Sequence, residues 1–306
     1  MRRLGPHPSP AFTLIELLVV IAIIAAQAAL LLVAIVPMIN KGPELQTTSD
    51  LRNLTIALNN FKQKHGVFPP SHITLSYKAE LMDPVSLGYI TTIWERIDFS
   101  GAAGPIDWAG NGQKGTYTLT GDQCLVFFLG GIPDSIAPDR RGCRGFSSNP
   151  KNPTDLGPGT RESFYQFDNS RLIFHNSLSP FYSFADPWST GQPYAYFSSG
   201  KRKDGYNPGP GSDCPSLVYN TFPPWPLPNN GTKYPGGPYF EFGTNPPRYY
   251  NATTFQIISA GKNGVFGPGG AWPVPPPPAP QPATGFDQAG QDNQTNFYDF
   301  TLGVPK

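Results

Sequence analysis

Charge is scarce in this chain. Only 14% of its 306 residues are Asp, Glu, Lys or Arg, against roughly 25% in a typical soluble domain. The 22 basic and 21 acidic residues nearly cancel, leaving +1. That balance excludes a general basic surface for nucleic acid and a repulsive acidic tail. Cysteine is scarce as well, and three residues are too few for a disulfide scaffold. The four histidines, His7, His65, His72 and His175, show no H-E-x-x-H spacing, and neither a G-x-S-x-G elbow nor a P-loop occurs. No nucleophile–base constellation marks an enzyme. Gly110-x-Gly112-x-x-Gly115 lacks the preceding strand and following helix that a dinucleotide fingerprint needs. What abounds is glycine (33) and proline (37), with 13% aromatic residues. Disordered chains are poor in aromatics, so the chain reads as folded, rich in turns and long loops. Little regular helix is expected after residue 65.

Long apolar runs are also rare, with one exception. FTLIELLVVIAIIAAQAALLLVAIV, from Phe12 to Val36, is 25 residues with a single charge, Glu16. At about 1.5 Å per residue such a helix spans a hydrocarbon core of about 30 Å. Arg2 and Arg3 are the only full charges before it, so the positive-inside rule predicts a cytoplasmic N-terminus. An ordinary signal peptide has a shorter apolar stretch with small residues after it. Here Ala25, Ala26, Ala28 and Ala29 lie inside the run. A plain anchor explains the length but not Glu16, since an acid within such a helix costs about 2.5–3.5 kcal/mol on insertion scales.

FTLIELLVVIAIIA, from Phe12 to Ala25, resembles the signal of type IV pilins and type II secretion pseudopilins. The resemblance implies that a prepilin peptidase cuts between Ala11 and Phe12 and N-methylates Phe12. The family usually has Gly where this chain has Ala11. Residues four apart share a helix face, so cleavage would create an α-amine one turn from Glu16. The resemblance further implies that Glu16 sets register against the next subunit of a filament. Implied partners are the prepilin peptidase, other pilins or pseudopilins and an inner-membrane assembly platform. The implied location is a single-pass inner-membrane protein with a periplasmic head, later part of a filament in the periplasm or at the cell surface.

Pro37 and Gly42-Pro43 are expected to interrupt or kink the helix. Helical periodicity resumes at Leu51, Leu54, Leu58 and Phe61, an amphipathic stripe seeking a sheet. HGVFPP, with Gly66 and Pro69-Pro70, stops it. The organisation predicted is a cleaved leader at 1–11, a transmembrane half-helix at 12–36, an amphipathic half-helix at 37–66 and a head at 67–306. Segment 119–132 reads either as a short helix capped near Thr120 and ended by Gly130-Gly131, or as a buried strand. Strands are predicted at Glu162–Asp168, Arg171–His175, Tyr194–Ser198, Tyr239–Phe242 and Phe255–Ser259. PVPPPPAPQP at 273–282 reads as polyproline II. The fold class is α+β, and the resemblance implies a pilin-like plan: a long N-terminal helix on an antiparallel sheet.

Two head segments extend the resemblance. Asp186-Pro187-Trp188 with Pro193-Tyr194-Ala195-Tyr196 is similar to a DPWG-x-PY-x-Y signature of the major pseudopilin, where the rings are structural. FQIISAGKNGVFG at 255–267, with the later Asp292-Asn293, is similar to that protein's calcium-holding segments. The carry-over nominates the Ala260 carbonyl and the Asn263 and Asp292 side chains as ligands of a Ca2+ ion. Asn263 stands where the family has Asp, and 28 residues separate it from Asp292. The same residues also spell an Asn-Gly hairpin turn. Outside the membrane one disulfide is predicted, Cys143–Cys214, because both lie in Gly- and Pro-rich loops. Cys124, in an apolar run, reads as a buried thiol. The sequence thus points to a structural filament subunit. The alternative is a minor pilin or adhesin whose enlarged head binds a surface, a glycan or DNA.

Overall fold

The computed structural model describes residues 14–134, 141–174, 179–188, 190–207, 213–214, 237–241, 243–267, 269–272 and 292–302. The chain divides into two units, Met1–Leu45 and Gln46–Lys306. Helix α1, Leu14–His65, begins in the first and ends in the second. It runs through Pro37, Gly42 and Pro43 as one helix of 52 residues, where an interruption was expected. A proline removes one N–H and crowds one carbonyl, and α1 continues across both such places.

In the first unit, Leu14–Leu31 is apolar and long enough to cross a membrane. Its large side chains are exposed, Leu14 at 82% and Leu30 at 75%. This one N-terminal apolar helix has the length and composition of a membrane span or a signal sequence.

In the second unit the helix is amphipathic as its periodicity predicts. Leu51, Leu54, Leu58 and Phe61 are all buried, joined by Ala57, Thr47 and Asp50. Gly66 ends it at φ +77°, donating its N–H to Lys62 O at 2.7 Å. A left-handed residue at this place satisfies a terminal carbonyl at no steric cost to glycine.

The fold beyond is α+β with small sheets. β1 (Ile73–Ser76) pairs antiparallel with β2 (Thr116–Leu119). Between them lies α2 (Pro84–Ile93), which composition alone did not lead us to expect. Asp83 caps it, accepting from Val85 N and Ser86 N at 3.0 and 2.9 Å, with Pro84 at the first helical position. Segment 119–132 is a helix, α3 (Gly121–Gly130), with a Thr120–Gln123 capping box. Every residue of it is buried, as expected of a helix that is apolar all round. Phe127 and Phe128 meet Trp94, Trp108, Phe146, Phe181 and Phe61 edge-on or stacked.

Two-residue pairs follow: β3 (Phe146–Ser147) with β4 (Arg161–Glu162), and β5 (Leu172–Ile173) with β6 (Ser183–Phe184). The strand predicted at 162–168 therefore shrinks to its first residue. Phe164 N and Tyr165 N both donate to Leu129 O, at 2.7 and 3.1 Å, which draws the backbone onto the end of α3 and away from a ladder. Likewise Asp168 caps a short 3-10 turn, Asn169–Arg171, where a strand start was predicted. His175 and Phe242 lie outside the described residues, as does the 273–282 tract.

The main sheet is four-stranded and antiparallel, in the order β12-β11-β9-β7. Its strands are β7 (Ala195–Ser198), β9 (Phe255–Ser259), β11 (Gln294–Thr295) and β12 (Tyr298–Thr301). Successive side chains point to opposite faces. Tyr194, Tyr196, Phe255 and Ile257 join the core under α1 and α3. Ala195, Phe197, Ile258 and Ala260 join a second core with Tyr239, Trp272 and Leu302. Burial on both faces explains why β7 and β9 read as largely apolar runs rather than as an alternation. One further pair departs from the antiparallel expectation: β8 (Tyr239–Glu241) lies parallel to β10 (Gly270–Trp272). The chain returns to β10 through β9, and a crossover of that kind permits a parallel pairing.

Candidate functional site

Ala11 and Phe12 lie outside the described residues. Glu16 sits exposed in the first turn of α1, the one charge in Leu14–Leu31. An acid there is favoured by the helix dipole, whose N-terminal end is positive.

In the head, the most organised polar group joins α1 to the strands beneath it. Asp50 lies on the buried stripe of α1. Its Oδ2 accepts from Arg171 Nη2 at 2.7 Å and from the Tyr194 hydroxyl at 2.9 Å. Arg171 also donates from Nε to Ala185 O at 3.0 Å. Its guanidinium lies 4.2 Å from the Phe184 ring centre, which adds cation–π attraction. Burial and the neighbouring Asp50 carboxylate hold the Tyr194 hydroxyl well above its ordinary range, so it stays a donor. The adjacent Tyr196 hydroxyl donates to Pro69 O at 2.8 Å. The aromatic signature around 186–196 thus serves to lock helix to sheet. Asp50 escaped the sequence reading although its spacing carries a signal: it falls in the stripe that Leu54 and Leu58 define, and an acid on an apolar face needs a partner.

The second cluster gathers the residues nominated for calcium. Asp186 Oδ2 accepts from Ser259 Oγ at 2.8 Å. Asn263 N donates to Asp292 Oδ2 at 2.7 Å, and Asn263 Oδ1 accepts from Val265 N at 2.7 Å. With the Asn293 amide oriented to satisfy its neighbours, its nitrogen donates to Ala260 O at 3.0 Å. Gly261 turns here at φ +70°, pressed against the Asp292 backbone, where a side chain would not fit. Ala260, Asn263 and Asp292 therefore do come together. Their nominated oxygens are engaged in hydrogen bonds, apart from the buried Asp292 Oδ1, which has no partner. Calcium takes six to eight oxygens; Asp292 offers Oδ1 as it stands, whereas Asn263 would have to release Val265 N and further oxygens would have to complete the shell. As arranged, this donor set closes a turn.

The cysteines correct an expectation. Cys124, Cys143 and Cys214 are free thiols. Cys214 Sγ lies 2.7 Å from where a Gly121 Cβ would stand, and Cys143 Sγ 3.0 Å from that of Gly130. These are opposite ends of α3, about 13 Å apart at 1.5 Å rise per residue, and a disulfide needs Cα atoms within about 7 Å. Loop composition could not reveal this spacing. Burial, with Asp134 adding to it, pushes the Cys143 thiol up to about 12, so it is a poor nucleophile.

Two outcomes are expected. Asp50→Ala leaves a buried guanidinium and a buried phenol without their acceptor, and should cost about 3–5 kcal/mol in urea unfolding. Asp50→Asn, which keeps an acceptor, should cost less. Burial raises the Asp186 carboxyl from 3.8 to about 6, against the opposing hydrogen bonds of Ser259 and Trp188 N. The folded state thus holds the proton more tightly, so stability is highest below pH 4 for this group and falls as pH rises from about 4 to about 6. Asp186→Asn should flatten that slope in denaturant titrations run with chelator present. An unchanged slope would remove Asp186 as its source.

No family model, no curated protein and no solved structure matches this chain.

Proposed function

We propose that this chain is a structural subunit of a type II secretion pseudopilus or a type IV pilus-like filament. In this reading it is processed by a prepilin peptidase and assembled through its N-terminal helix, with a pilin-like plan and no catalytic role. One observation carries the reading: an exposed apolar helix, Leu14–Leu31, holds a single acid in its first turn, within a run that resembles the prepilin signal. The physics favours such a use. After cleavage the α-amine of Phe12 would sit at the positive end of the helix dipole, where a cation is disfavoured. A carboxylate one turn away, on the same or a neighbouring subunit, compensates it. Helices with exposed Leu, Ile and Val pack on one another within a filament, and the one acid among them fixes their stagger. Within the second unit, Asp50 fastens the amphipathic end of α1 to the strands of the head.

Two experiments test this. The intact mass of chain extracted from native membranes should lack residues 1–11 and carry one added methyl group. Retention of Met1 through Ala11 in all the protein would sink the assignment. Glu16→Ala should insert in the membrane as well as the unaltered chain, since it removes a costly acid. Filament yield should fall roughly tenfold or more, because a neighbour's cation loses its partner. Normal filament yield from that variant would strip Glu16 of its role.

A further inference from the structure

A polar cleft of about 610 Å³ opens at the C-terminal end of α3, apart from the Glu16 helix and from the Asp186–Asp292 cluster. Its volume lies within the roughly 300–1,000 Å³ of small-molecule sites. The floor is backbone packed on backbone. Gly131 bridges Gly145, and Gly145 N donates to Gly130 O at 2.8 Å. Such a floor is preformed. The walls carry Arg144, Arg161, Tyr165, Gln166, Asp168 and Asn169.

The chemistry of these walls narrows the ligand. Arg144 is neutralised by Asp134. Arg161 donates from Nη1 to Gly145 O at 3.3 Å and from Nη2 to Asp155 O, which pins its plane in the wall. Both guanidiniums are thus pinned in the wall, and the Asp168 carboxylate beside them disfavours an anionic ligand such as phosphate. Among the described residues no three His, Cys, Asp or Glu side chains gather for a metal. An apolar ligand would strand the polar lining at a cost. What the walls offer is a mixture of donors and acceptors in planar groups, each able to address two adjacent hydroxyls. Asp168 Oδ1 accepts from Ser170 N and Oγ at 2.9 and 2.7 Å, which orients the carboxylate and leaves Oδ2 for a ligand. Gln166 and Asn169 are exposed and carry both a donor and an acceptor. Tyr165 supplies an aromatic surface. Its ring is half-buried and braced edge-on by Phe167, with centres 4.7 Å apart at 68°, and a fixed ring loses little entropy on binding.

We infer that this cleft binds a pyranose sugar, a disaccharide by size. The C–H face of the sugar lies on Tyr165, and its hydroxyls are shared among Gln166, Asp168 and Asn169. The inference does not rest on filament assembly.

The test uses the full chain in a zwitterionic, sugar-free detergent, with saturation-transfer NMR on millimolar maltose, cellobiose and N,N′-diacetylchitobiose. Transfer to at least one disaccharide is expected. Tyr165→Ala should weaken it about tenfold, the loss of one aromatic anchor. Gln166→Ala changes an exposed residue and leaves the fold alone, and it should weaken binding severalfold. Inorganic phosphate should not compete. No transfer from any of the three sugars, transfer unchanged in both variants, or displacement by phosphate would each overturn the proposal.

Discussion

A single buried carboxylate sets how helix and sheet fit together. Asp50 stands among Leu51, Leu54, Leu58 and Phe61 on the face of α1 that the head covers. An ion pair in such a place adds little net stability over an apolar contact, but a carboxylate left there without its cation costs about 3–5 kcal/mol. Sliding α1 forward by one turn would impose that penalty and would also bring Thr55, Lys62 and His65 to the places of Leu51, Leu58 and Phe61. The pair therefore specifies register more than it adds strength. Its reach extends further, because Arg171 also holds Ala185 O, and the next residue, Asp186, holds Ser259 of β9. Four elements distant in sequence are fixed through two side chains.

The helix and its apolar stripe were legible because a period near 3.6 is a local property. β7 and β9 were legible for a related reason: both faces are buried, so apart from Gln256 every residue of each is apolar or a small serine. α3 needed its caps. Thr120 and Gln123 at one end and Gly130-Gly131 at the other decide between helix and strand where the apolar run could not. The failures share one cause, which is a partner chosen by tertiary packing. Phe164 and Tyr165 leave their predicted strand because Leu129 O is near. Cys143 and Cys214 stand apart because α3 lies between them. Of the candidate site, Glu16 was visible as a charge in an apolar run, whereas Asp50 was half visible, since Arg171 lies 121 residues away. α2 carried a signal that composition masked, the Asp83-Pro84 start.

A chain with this much glycine and proline cannot build long ladders, and its strands are short, several of two residues. Backbone groups still need partners, and side-chain amides supply them. Gln256 acts as a substitute peptide: its Oε1 accepts from Tyr239 N and its Nε2 donates to Tyr239 O, both at 2.8 Å. Asn296 does the same for β9, accepting from Ile257 N at 2.8 Å and donating to Phe255 O at 3.3 Å. Asn152 reaches Ala103 O and Pro105 O. These amides carry no charge, which is how a chain poor in charge satisfies a loop-rich interior.

The acids follow the same economy. Asp50, Asp122, Asp186 and Asp213 are all buried, and each receives a hydroxyl: Tyr194, Ser183, Ser259 and Ser71 respectively. Each such bond ties two segments far apart in sequence, so short strands are stitched where ladders are too brief to hold. Among these four only Asp50 also has a salt-bridged cation. Burial raises the Asp186 and Asp213 carboxyls above their ordinary range, more than their hydroxyl partners lower them. A hydroxyl bond of this kind tolerates either state of the acid, since a protonated carboxyl still accepts through its carbonyl oxygen. The ion pair does not, because it needs the anion. Of these four aspartates, the one that commits to a salt-bridged charge is thus the one that meets the helix, and the other three hold their segments by bonds that survive protonation.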